Sequence, residues 1–245
     1  MELKENERID NLELNNLKII QNKNGFCFGM DSVLLSDFAK NIKINSKVID
    51  LGTGTGILPI LLSAKTKAQK IVGIELQKEV ADMATRSIEL NNLQEKVEII
   101  CENIKNLKNI YEANFFDAII TNPPYKIVGT GGINEVETKL ISRHEITANL
   151  EDFISISSYL LKDKASIYMV HRSERLVDIL SLFRKYKLEP KELKFVQPSS
   201  NKAPNLVLIK ATKNAKPFLK IDKPLYIYNS DGNYTEELLK IYNKI

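Results

Sequence analysis

At 245 residues, 43% hydrophobic and 27% charged, the chain has the make-up of a globular protein able to bury a full core. No apolar run reaches the ~20 residues that a membrane helix needs, and the asparagine-rich start MELKENERIDNLELNN does not read as a signal peptide. The net charge of +4 permits a nucleic-acid partner without requiring one. Two histidines, His144 and His171, and two distant cysteines, Cys27 and Cys101, argue against a metal site and for reduced, buried thiols in a cytoplasmic protein.

The first 30 residues, with LELNNLKIIQNKNGFCFG, read as a small hairpin extension leading into a helix that starts near Asp31. KVIDLG (47–52) is a buried strand and ILPILLSAK (57–65) a buried helix, whose Pro59 falls in the first turn. KIVGIEL (70–76) is the next strand. QKEVADMATRSIELNNL (77–93) spaces Val80, Met83, Ala84, Ile88 and Leu90 as a helical face. KVEIIC (96–101), FFDAII (115–120) and ASIYMV (165–170) continue the strands, with helices at LEDFISISSYLLK (150–162) and SERLVDILSLFRKY (173–186). LKFVQP and NLVLIKATK are strands separated only by SSNKAP, too short for a crossover, and so form an antiparallel hairpin at a sheet edge. The expected fold is α/β, a Rossmann-like doubly wound sheet of seven strands, mostly parallel, in one domain over 1–245 with its core in 31–245.

VIDLGTGTGI sets Gly52, Gly54 and Gly56 between the first core strand and its helix, where glycine permits a tight turn and close approach of a ligand. A dinucleotide fingerprint needs glycine or alanine at 57, which is Ile57, and the Gly-Lys-Ser/Thr of a triphosphate loop is absent. Asp50, two residues before Gly52, would repel a pyrophosphate. A ligand without phosphate and with positive charge fits better, as in S-adenosylmethionine, with its sulfonium and ammonium. Glu75, at the end of the next strand, is placed to accept from ribose hydroxyls.

ITNPPYKIVGTGG (120–132) ends a strand on asparagine and two prolines, stiffer than a turn requires. In a doubly wound sheet Asn122 lies at the carboxyl end of the strand beside the glycine loop. The Asn122 side-chain oxygen and the Pro123 carbonyl, held by the fixed φ of Pro123 and Pro124, form an acceptor pair for an exocyclic amine. They stabilise the positive charge that grows on the nitrogen as a methyl group arrives. Tyr125 offers a face on which an extruded base can stack.

At these residues the chain resembles class I S-adenosylmethionine-dependent methyltransferases of the N6-adenine type, and most closely the bacterial tRNA1(Val) adenine N6-methyltransferases. The likeness runs through LKIIQNKNGFCFGMDSVLLSDFA, DLGTGTG, NPPY, SRHE, YLLK, VHRSERL and PLYIYNSDGNYTEEL. It implies contacts to the methyl donor at Asp50, Gly52, Gly54 and Glu75, a target-amine site at Asn122, Pro123 and Tyr125, and S-adenosylhomocysteine as product. The family often has an aspartate after the third strand to accept from the donor adenine; here Asn103 stands there, beside Glu102. The substrate implied is the tRNA anticodon loop, without metal, membrane or obligate protein partner.

Asp31 either caps its helix or also closes over the methyl donor. Arg143 and His144, in KIVGTGGINEVETKLISRHE (126–145), either touch RNA phosphate or help order that segment, or else belong to a solvated helix start. Arg172 and Arg175 either grip the RNA backbone or are surface charge. Tyr226, Tyr228 and Tyr234 are read as packing rather than as a stacking surface. Competing functions are methylation of ribosomal RNA (guanine N2 or adenine N6) or of a release-factor glutamine, and a non-catalytic module that binds S-adenosylmethionine or RNA. Intact Asn122-Pro123-Pro124-Tyr125 argues against the last, and the lack of an extra recognition domain before residue 30 against a protein acceptor.

Overall fold

The computed structural model describes residues 2–25, 28–125 and 148–245. Among them, β1 (Glu7–Asn11) and β2 (Lys18–Asn22) pair antiparallel and lead into α1 (Met30–Phe38). The alternation expected of a doubly wound sheet follows: β3 (Lys47–Leu51), α2 (Ile57–Lys65), β4 (Lys70–Glu75), α3 (Lys78–Leu90), β5 (Val97–Cys101), a 3-10 turn at Ile104–Asn109, and β6 (Phe116–Thr121). After the undescribed stretch come α4 (Leu150–Leu160), β7 (Leu161–Arg172), α5 (Leu176–Lys185), β8 (Leu188–Gln197) and β9 (Leu206–Lys213). Two-residue strands β10 (Lys220–Ile221) and β11 (Leu225–Tyr226) precede α6 (Glu236–Ile241).

The long strands run β5-β4-β3-β6-β7-β9-β8, parallel except where β9 pairs antiparallel with both β7 and β8. The expected seven strands are therefore joined by β10 and β11, which pair with β8 and make nine. Strand order reverses between β3 and β6, the switch point at whose carboxyl ends ligands of such sheets sit. β3 and β4 are buried on both faces, which is why they read as unbroken apolar runs. One core packs α1 and α2 on the sheet through Leu34, Leu35, Ile60 and Leu62. The other, on the opposite face, holds Ile49, Leu51, Phe116, Phe153, Leu160 and Phe183. No helix among the described residues is long and apolar enough to cross a membrane.

The β1–β2 hairpin sits on α3. The Ile20 backbone N–H donates to Ser87 Oγ at 2.9 Å, and Arg86 Nη1 donates to Glu7 Oε2 at 2.8 Å. This contact shifts the buried face of α3 from the one expected. Ala81, Met83, Ala84, Ser87 and Ile88 are buried, while Val80 and Leu90 are only half-buried. A serine and two alanines carry the face because a strand, not only the sheet, presses on it. Cys101 also departs from expectation: it ends the edge strand β5 and is exposed. Cys27 lies outside the described residues.

Candidate active site

Leu51 ends β3, and the chain turns through Gly52, Gly54 and Gly56 at φ of 75°, 58° and 86° before α2 begins. That left-handed region penalises any side chain. Phe153 of α4 stands behind Gly52, at the ordinary contact distance of 3.4 Å from where a Cβ would lie. The loop is tied to β4: the Gly52 and Thr53 backbone N–H groups both donate to Ile74 O, at 3.0 and 2.8 Å. Glu75 completes the clamp. Its Oε2 accepts from Gly54 N at 3.0 Å and its Oε1 from Gln77 N at 2.9 Å. Glu75 is buried rather than solvated, yet each of its oxygens keeps acceptor capacity.

A cleft opens beside this loop, lined by Gly52, Ile74, Glu75, Glu102, Asn103, Pro124 and Phe153 among others. A larger hollow, between the β1–β2 turn, α1, α2 and α6, lies away from these residues. Asn103 reaches the cleft, but its side-chain oxygen also accepts from Lys105 N at 3.0 Å and so caps the 3-10 turn. Glu102 Oε1 accepts from Asn103 N at 2.6 Å and from Asn106 Nδ2 at 2.9 Å. These bonds hold its carboxyl below the usual glutamate range.

Asp50 is not among the residues lining the cleft. It is fully buried beneath the loop, and among the described residues neither of its carboxylate oxygens nor Thr53 Oγ1 has a hydrogen-bond partner. Burial pushes its carboxyl up to about 7. Thr53 acts in the opposite direction without forming a bond of acceptable geometry, and Glu75 adds repulsion. An unmet buried carboxylate is a costly feature that a cation nearby would relieve. Gly73, unlike Asp50, carries no signal in the sequence that marks it. Gly73 pairs with Asp50 across the strands, and a Cβ on it would lie 2.8 Å from Ile99 Cδ1 and 2.9 Å from Thr53 Oγ1. Its bareness makes room for the loop threonine.

β6 lies directly beside β3, with Thr121 opposite Leu51 and Thr121 Oγ1 donating to Leu51 O at 2.9 Å. Asn122 is thus the first residue beyond the sheet at the glycine loop, and Pro124 shares the cleft wall with Gly52 and Glu75. Pro123 is buried. Asn122 Nδ2 donates to Asp31 Oδ2 at 3.2 Å; the Tyr125 hydroxyl lies 2.6 Å from the same oxygen and 2.7 Å from Asn122 Oδ1. Burial, and then Asp31, push the Tyr125 phenol far above its ordinary range, so it stays protonated. Asp31 is not the N-cap of α1, which is Gly29, but its Oδ1 accepts from the first-turn Ser32 N at 3.0 Å while its Oδ2 faces Asn122 and Tyr125. The segment around Asp31 was legible as a helix start, but not its reach to a residue 91 positions on.

Of the candidates for RNA contact, Arg172 sits with its guanidinium 5.3 Å from the centre of the Tyr125 ring, and Arg175 Nε pairs with Asp178 at 2.7 Å. His171, not singled out as a site residue, lies 5.0 Å from Tyr125, ring to ring. Burial, and then Arg175, lower its imidazole to about 4, and its Nδ1 accepts from Arg172 N at 2.8 Å. It is neutral at physiological pH. Arg143 and His144 lie outside the described residues. Tyr228 and Tyr234 pack on each other, but at the surface: they are 41% and 47% exposed, while Tyr226 is half-buried.

The chain is similar to proteins already known. In Tolumonas auensis, a protein named tRNA1(Val) (adenine(37)-N6)-methyltransferase is 28% identical over 223 residues, spanning 87% of this chain and 86% of its own. One of the same name in Porphyromonas gingivalis is 25% identical, with the same coverage. A crystal structure of a predicted O-methyltransferase from Agrobacterium tumefaciens superposes with a TM-score of 0.71 at 19% identity, covering 87% of this chain and 96% of that one; at that identity it supports the fold alone. The family model described as "Methyltransferase small domain" matches residues 16–191, and the chain belongs to that family.

Proposed function

We propose that this chain transfers a methyl group from S-adenosylmethionine to N6 of an adenine in tRNA, at position 37 in the anticodon loop of tRNA1(Val). The observation that carries the reading is the juxtaposition at the switch point: Asn122 begins where β6 ends, one strand from the glycine loop, and Pro124 shares its cleft. The buried, unpartnered Asp50 and the clamped Glu75 suit a cationic ligand with free ribose hydroxyls, so the residues present fit that methyl donor. The names of the relatives support the choice of adenine and of tRNA.

Bound in the cleft, S-adenosylmethionine supplies a methyl carbon activated by the adjoining sulfonium. Gly52 and Gly54 let it approach the backbone, Glu75 accepts from its ribose, and Asp50 contributes a negative field from beneath. Asn122 Oδ1 and the Pro123 carbonyl accept hydrogen bonds from the adenine amine, which otherwise shares its lone pair with the ring. Those two acceptors also stabilise the charge developing on nitrogen, whose extra proton then leaves to water. Tyr125 holds the extruded base, with Arg172 over its ring. A buried His171 kept neutral and tied to Arg172 N is not needed as a base.

The test is to incubate the protein with labelled S-adenosylmethionine and separate pools of tRNA, ribosomal RNA and release factor, then analyse nucleosides. Label is expected in N6-methyladenosine from tRNA. Label in ribosomal RNA guanine or in a glutamine amide instead would replace the substrate and leave the chemistry.

A further inference from the structure

We propose that Asp31 is a positioning residue that takes the single hydrogen of the Tyr125 hydroxyl and thereby keeps Asn122 Oδ1 free to accept the target amine. The inference rests on the reading of Asn122 given above and adds what controls it. A phenol has one hydrogen, and that of Tyr125 has two acceptors in reach: Asp31 Oδ2 at 2.6 Å and Asn122 Oδ1 at 2.7 Å. If the hydroxyl donated to Asn122, it would occupy the oxygen that the adenine amine needs. A carboxylate is the stronger acceptor, so the hydrogen goes to Asp31, and the Tyr125 and Asn122 oxygens are left facing each other at 2.7 Å, a contact that an incoming amine hydrogen relieves.

The same carboxylate oxygen accepts from Asn122 Nδ2 at 3.2 Å. That bond fixes which way the amide faces, because the flipped amide would set two oxygens against each other. Asp31 is itself placed by its surroundings. Its Oδ1 accepts from Ser32 N at 3.0 Å, and a Cβ on Gly29 would stand 2.7 Å from Oδ1. Gly29 has φ of −102°, which any residue adopts, so its glycine is explained by the space the carboxylate fills.

Single-turnover methyl transfer to tRNA, with donor binding followed by calorimetry, tests the proposal. Asp31→Ala is expected to slow transfer roughly 10- to 100-fold, the range for losing a bond to a charged group, with methyl-donor affinity unchanged. Asp31→Asn falls between, since an amide oxygen accepts without outcompeting Asn122. The decisive variant is Asp31→Ala with Tyr125→Phe. Removing the hydroxyl frees Asn122 Oδ1 again, so the double variant is faster than Asp31→Ala alone. A second readout is binding with S-adenosylhomocysteine in place of the methyl donor. It compares tRNA bearing adenosine with tRNA bearing purine riboside, which lacks the amine, at the target. The preference for adenosine shrinks in Asp31→Ala and returns in the double variant. Gly29→Ala, which keeps the charge but displaces it, slows transfer in the same way and serves if Asp31→Ala does not fold. A double variant as slow as Asp31→Ala, or an Asp31→Ala enzyme at the parental rate, overturns the proposal. If Asn122→Ala also runs at the parental rate, the reading of Asn122 falls instead.

Discussion

Replacing Asp50 with asparagine tests the idea that the loop stores an unfavourable charge for a cationic ligand. In the fold, burial moves this carboxyl from an ordinary 3.8 to about 7. At about 1.36 kcal/mol per pH unit, ionising it there costs about 4 kcal/mol, an upper figure because relaxation softens buried charge. The sign follows from proton counting. Between about pH 4 and pH 7 the unfolded chain has released this proton while the fold still holds it, so stability falls as pH rises through that window. The amide of the Asp50→Asn variant carries no such dependence, although leaving it unmet costs about 1–3 kcal/mol at every pH. Urea unfolding without the methyl donor is the assay. The stability of Asp50→Asn relative to the parent is expected to improve by about 2–3 kcal/mol from pH 5 to pH 8. Donor binding measured by calorimetry in two buffers at pH 7 is expected to release about half a proton from Asp50 of the parent, which is half protonated there, and none from position 50 of the variant. A stability difference identical at both pH values would refute the reasoning.

Two further substitutions probe the frame. Gly73→Ala drives a methyl group against Ile99 and Thr53, and unfolding should show a loss of about 1–3 kcal/mol with weakened donor binding. Arg86→Ala takes the guanidinium from the buried Glu7 carboxylate and leaves it the Lys4 backbone N–H, whereas in the parent the bond to Arg86 holds it below the usual glutamate range. A loss of about 1–3 kcal/mol is expected at neutral pH. It should shrink as pH falls through the glutamate range and the carboxylate takes a proton.

Much of this fold was legible because its signals are local. ILPILLSAK is continuous and apolar, and α2 spans those nine residues, Ile57–Lys65. β3 and β4 lie buried on both faces, so their runs stand out without alternation. The β8–β9 hairpin followed from a connection too short to cross over. What was not legible depended on contacts distant in sequence. Ser87 of α3 is buried where β2 lies on it, and β8 begins at Leu188, in a stretch whose Pro190 sits beside a register shift. At the site, the order of glycine loop, Glu75 and Asn122 was readable, since chain order and the doubly wound rule put them at one edge. The links Asp31–Tyr125, Gly73–Thr53 and Arg172–Tyr125 were not, because nothing local in the sequence marks them.

Methyl transfer turns on the side-chain oxygen of Asn122, and Asn122→Ala measures its part most directly. With S-adenosylmethionine binding followed by calorimetry and methyl transfer to tRNA by single turnover, the variant should bind the donor as the parent does. Its transfer rate should fall about 10²- to 10³-fold, as on losing one preorganised group at a developing charge. A variant that transfers methyl to tRNA at the parental rate would contradict the mechanism.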